Sequence, residues 1–201
     1  MKAYRHIQED LEIAEGGGIL RRYFVMNGFD GALTSLGIIL GFFLSFINGG
    51  ETDPYTLILA GMGASIAMGI SGFWIAYLTE SAERTKEIKE LEDQMISDLS
   101  DTEYTDAHFH ASIIISFIDG FSPFIFSAIS IAPFLFVLLD AIPVQIGYII
   151  SFTLILIEVV VLGFFLGAIS EQNKIIYALK TSTAFIAVVL LTFLIEFLAV
   201  L

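Results

Sequence analysis

Three carboxylates stand in stretches otherwise fit for hydrocarbon: Asp30 in "NGFDGALTSLGIILGFFLS", Asp119 in "SFIDGFSPFIF" and Glu158 in "LILIEVVVLG". A charge at a helix centre in a bilayer costs roughly 2.5–3.5 kcal/mol on insertion scales, so such acids mark ion or proton routes. No Lys or Arg lies in any apolar span to neutralise them. Asp30, Asp119 and Glu158 are therefore candidates for proton coupling, and Asp30 is also a candidate cation ligand. Asn27, Thr34, Gly37 and Gly41 share the Asp30 face at steps of three or four, a stripe that should meet protein or water. Its bland account is a Gly-x-x-x-Gly packing face. Gly120, Ser122 and Pro123 beside Asp119 are expected to interrupt their helix and turn backbone carbonyls toward a cavity. For Glu158, a protonated carboxyl bonded to another helix weighs equally with proton coupling. Glu196, near a span end, reads as helix pairing.

A second set lies outside the apolar spans. In "TESAERTKEIKELEDQM", Glu80, Glu83, Glu87 and Glu90 recur at steps of three, four and three, placing four oxygen donors on one helical face where a divalent cation could be held. Arg84, Lys86 and Lys89 offer ion pairs, and by itself such a stripe is more often a solvated face. Met68, within "GMGASIAMGISG", carries a thioether that beside carboxylates suits a transition metal better than Mg²⁺ or Ca²⁺. Gly61, Ser65 and Gly69 make a small-residue seam on the same helix. His108 and His110, as "HFH", do not share a face, so a two-histidine zinc motif is not expected and anchoring at the membrane interface is.

These residues need helices that cross a membrane. Hydrophobic residues make up 56% of the 201 and mean hydropathy is +0.83, which predicts an all-α integral membrane protein, multi-pass and embedded in a lipid bilayer. Five spans are expected, at about 23–48, 56–79, 109–139, 144–169 and 182–201, the third kinked or broken by Pro123 and Pro133. The second helix should run on into the cytoplasm, since no Gly or Pro stops it before residue 95. All nine basic residues fall before the first span, between the second and third, or between the fourth and fifth. By the positive-inside rule the N-terminus is cytoplasmic and the C-terminus external. Residues 1–22 are expected to form a cytoplasmic amphipathic segment that stays in the mature protein, with 23–201 a five-helix domain bearing an acidic insert at 80–108. "FDGALTS" and "GFWIAYLTE" echo "IDGFSPF" and "GFFLGAISE", which allows a parallel repeat of helices one and two in helices three and four.

The net charge of −13 argues against nucleic acid as partner, and the absence of cysteine removes disulfides and thiolate chemistry. No nucleophile–base set or cofactor motif is present, so an enzyme is not expected and no cofactor is implied.

"NGFDGALTSLGIILG", together with "IAMG" and "SAER", resembles the vacuolar iron transporter family. The resemblance covers roughly residues 16–90 and otherwise rests on helix count. It implies a homodimer that exports Fe²⁺, and often Mn²⁺, from the cytoplasm in exchange for protons. Asp30 would match the family's pore aspartate, Met68 its pore methionine, and Glu80, Glu83, Glu87 and Glu90 its metal-collecting glutamates. Where the family inserts a three-helix metal-binding domain, only residues 80–108 are available; where it carries Gly-Glu-Tyr, this chain has Ser71, Gly72 and Phe73. The expectation is a divergent prokaryotic-type member, in the cell membrane, without the full cytoplasmic domain. The alternatives are a passive divalent-cation channel and a non-transporting scaffold or metal-responsive subunit.

Overall fold

The computed structural model describes residues 16–96, 98–99 and 102–200, so the reading of residues 1–15 lies outside the described residues. Among these there are six helices and no strand: α1 Gly16–Ile47, α2 Pro54–Met95, α3 Glu103–Ile131, α4 Pro133–Leu138, α5 Val144–Ile169 and α6 Lys174–Val200. All but α4 are long and apolar enough to cross a membrane. A backbone in hydrocarbon must satisfy its own donors and acceptors, and the helix does this within one segment.

Helix ends follow local chemistry. Gly49, at φ 87, closes α1 with Gly50 N–H bonded to the Ser45 carbonyl at 2.9 Å, a left-handed cap that glycine adopts without strain. Asp53 opens α2: its carboxylate accepts the N–H groups of Tyr55 at 3.1 Å and Thr56 at 3.2 Å, plus the Thr56 hydroxyl, with Pro54 at the first helical position. These bonds hold the Asp53 carboxyl below its ordinary pKa. As expected, α2 then runs unbroken to Met95.

The break expected in the third span is present, at Pro133 and not at Pro123, and two other expectations are corrected. The third span is two helices, because Pro133 starts α4 after a break at Ala132, while Pro123 is carried inside α3. The helix is therefore continuous at Asp119 and not interrupted there. The last helix begins at Lys174, eight positions ahead of residue 182, so Lys174 and Lys180 belong to its first turns and not to a link.

The chain forms two compact units. One comprises the residues up to Asn27 with Gly69–Ser122; the other comprises Gly28–Met68 with the residues from Pro123 onward. In the first, α2 and α3 touch backbone to backbone: the hydrogen of Gly120 faces the Gly69 carbonyl and Phe73, where no Cβ would fit. The core of the second unit is Leu36, Ile39, Leu57, Ile131, Phe134, Tyr148, Ile155 and Val159 with their neighbours. Tyr148 is its centre, edge-on to Phe43 and Phe134 with ring centroids 5.2 and 5.1 Å away, its hydroxyl bonded to that of Thr52 at 2.7 Å. Lipid tails are as apolar as these side chains, so close packing rather than water expulsion holds this core.

Candidate functional site

In the first unit, α2 and α3 line an acidic cavity of about 650 Å³. Glu80, Glu83, Glu87 and Glu90 all reach its wall, together with Arg84, Gln94, Tyr104 and His108. The step pattern that put four glutamates on one face of α2 thus places all four along one cavity. Inside it the charges are ordered. Glu80 is buried at 3% exposure, bonded to the Arg84 guanidinium at 3.5 Å and accepting the Tyr23 hydroxyl at 3.1 Å. Glu87 and Glu90 are open to solvent, the latter paired with Lys86 at 3.6 Å.

His108 corrects the interface-anchoring expectation. It is buried, with its ring 4.2 Å from that of Tyr104 and its Nδ1 3.0 Å from an Arg84 nitrogen and 4.0 Å from Glu87. A guanidinium can only donate, so Nδ1 accepts and the neutral ring carries its proton on Nε2. Among the described residues, Nε2 meets no hydrogen-bond partner. The sequence showed Arg84 as a helix ion pair but gave no sign that it would tie α2 to a histidine of α3.

Asp119 also finds a protein partner in the first unit. It is buried and receives the side-chain amide of Asn27, whose amide also donates to the Tyr23 carbonyl at 3.1 Å. One turn on, the Ser122 hydroxyl donates to the Phe24 carbonyl at 2.7 Å. Asn27, placed by spacing on the Asp30 stripe, therefore binds Asp119.

In the second unit, Asp30 is exposed and Met68 is half-buried. A Cβ added at Gly37 or Gly41 would meet nothing within 4 Å, so this stripe is open as well. Glu158 is buried and accepts the Ser130 hydroxyl at 2.8 Å. Glu196 accepts the Asn48 amide at 2.5 Å, the helix-pairing role read for it. Among the described residues, no group of three or more His, Asp or Glu side chains is gathered closely enough to hold a metal ion. The structure brings the four glutamates to one wall without closing them around a point.

The five apolar helices define a multi-pass integral membrane protein. The chain is 33% identical, over 179 residues and 87% of each chain, to Uncharacterized protein MJ0645 of Methanocaldococcus jannaschii, and it belongs to the same family as that protein. No family model and no solved structure matches it.

Proposed function

We propose that the protein is a divalent transition-metal transporter that moves Fe²⁺ or Mn²⁺ out of the cytoplasm in exchange for protons, working as a homodimer. The observation that carries this reading is the convergence of Glu80, Glu83, Glu87 and Glu90 on one cavity wall. Such a wall raises the local concentration of divalent cations. Within the membrane, Asp30 and Met68 supply the carboxylate and thioether that ligate the ion, in line with the resemblance to vacuolar iron transporters. An acid exposed on a bilayer helix needs cover, and the open stripe of Asp30, Gly37 and Gly41 gives room for the same stripe of a second copy. The orientation proposed is that of the positive-inside rule, with the N-terminus and the acidic cavity cytoplasmic and the C-terminus external. The 80–108 insert is then the metal-collecting surface, and the parallel repeat of α1–α2 in the helices that follow remains part of this proposal.

One observation favours the scaffold reading: Glu80 is tied to Arg84, and Arg84 to His108, which suits a static brace. Proteoliposomes with an internal pH dye separate the readings. Uptake of Fe²⁺ or Mn²⁺ with opposite proton movement, lowered at least tenfold by Asp30→Asn, supports the exchanger. Metal flux without proton movement replaces it with a channel, and no divalent flux leaves the scaffold. Unchanged flux in Asp30→Asn removes the assigned pore residue.

A further inference from the structure

Glu158 stands halfway along α5 with 7% of its surface exposed. Ser130 on α3 donates to one carboxyl oxygen, Oε2, while Oε1 meets no partner among the described residues. Among the described residues no ion pair to it is formed. On its own helix the only other ionisable group is Tyr148, engaged with Thr52. Beside it on α6, Thr181 donates its hydroxyl to the Val159 carbonyl at 3.1 Å, and the neighbouring Lys180 lies over the Tyr177 ring at 5.1 Å. Elsewhere in the unit's helices, Asp30 and Tyr55 are exposed, Lys174 is exposed in the first turn of α6, and Glu196 is held by Asn48.

An unpaired carboxylate is costly in such surroundings, and binding a proton removes that cost. Because Oε2 already accepts from Ser130, the proton of the neutral acid belongs on Oε1, the oxygen left open. A purely structural acid would close that O–H onto a fixed acceptor, such as a carbonyl of a neighbouring helix. An open O–H suits a proton that arrives and leaves. Further buried hydroxyls lie in the same unit. One turn before Ser130 on α3, Ser127 accepts the Ser35 hydroxyl at 2.6 Å and bonds that of Ser65, which donates to the Gly61 carbonyl at 2.7 Å. Ser35, Ser65, Ser127 and Ser130 are all buried, and each hydroxyl can both donate and accept.

We infer that Glu158 and Ser130 form an intramembrane proton-binding site, separate from Asp30. As the proton half of an exchange the site rests on the transport reading, but its protonation can be measured with no metal present. The test is infrared difference spectroscopy of the full chain in lipid, acid minus alkaline. The expected result is a carboxylic C=O band that appears at acid pH, is lost in Glu158→Gln and shifts in frequency in Ser130→Ala. A band that survives Glu158→Gln, or a Glu158 band that does not change with pH, overturns the proposal. Loss of the band on adding NaCl at fixed acid pH overturns it in favour of a sodium site. If the Glu158 band behaves as expected while no metal flux is found, the proton site stands and the transport reading fails.

Discussion

The Glu80–Arg84 pair gives a prediction whose size follows from geometry. Both side chains are nearly buried, at 4% and 7% exposure, with oxygen and nitrogen 3.5 Å apart. At an effective dielectric of about 20 that separation corresponds to about 5 kcal/mol of gross attraction, against which the desolvation of both charges must be set. Removing one partner from such a pair costs about 3–5 kcal/mol, because the other charge is left buried. Glu80→Gln should fall at the lower end, about 3 kcal/mol, since Arg84 keeps its bond to His108. Arg84→Met should cost a similar amount, as Glu80 keeps only the Tyr23 hydroxyl. The double variant replaces both charges and should be more stable than either single variant, a coupling of more than about 3 kcal/mol. Unfolding in mixed micelles can be followed by the fluorescence of Trp74, the single tryptophan, which lies in the same unit. A Glu80→Gln protein within about 0.5 kcal/mol of wild type, or a double variant no better than the singles, would refute the reasoning that the pair is desolvated and coupled.

Two further predictions concern helix ends. Asp53 has a folded pKa below its unfolded one, so its cap stabilises fully above the ordinary carboxylate range and is lost as pH falls through the lowered folded value; thermal melts from neutral to strongly acid pH should show this loss in wild type and not in Asp53→Asn. Glu171 sits at φ 52 where α5 ends, with Gln172 N–H bonded to the Gly167 carbonyl at 3.1 Å, a left-handed position that suits glycine. Glu171→Gly should stabilise the protein by about 0.5–1 kcal/mol in the same unfolding assay, and a loss of stability would show that the Glu171 side chain matters more than its backbone strain.

Much of the architecture was legible because it is governed by local rules. An apolar run of about 20 residues in lipid has few choices besides a helix. The absence of Gly and Pro carries α2 to Met95, and Pro133 ends the continuity of the third span. The glutamate stripe was legible for the same reason, since helical period decides which side chains share a face. Its partner was not. Nothing in the period of α2 says that α3 would bring Tyr104 and His108 to that wall, or that Asn27 would turn to Asp119 rather than to the Asp30 stripe.

The buried serines mark the limit most clearly. Ser35, Ser65, Ser127 and Ser130 are small, weakly polar residues in apolar helices, so they barely disturb the hydropathy that reveals a span and leave no contrast to detect. The sequence by itself determined five membrane helices and the positions of the costly acids, because backbone satisfaction and helical period act within a single segment. Tertiary structure alone decided that Ser127 joins Ser35 to Ser65, that Ser130 holds Glu158, and that Asp30 is left exposed. Those outcomes depend on which helices adjoin and how each is rotated, and in lipid that is set by the packing of small residues between segments.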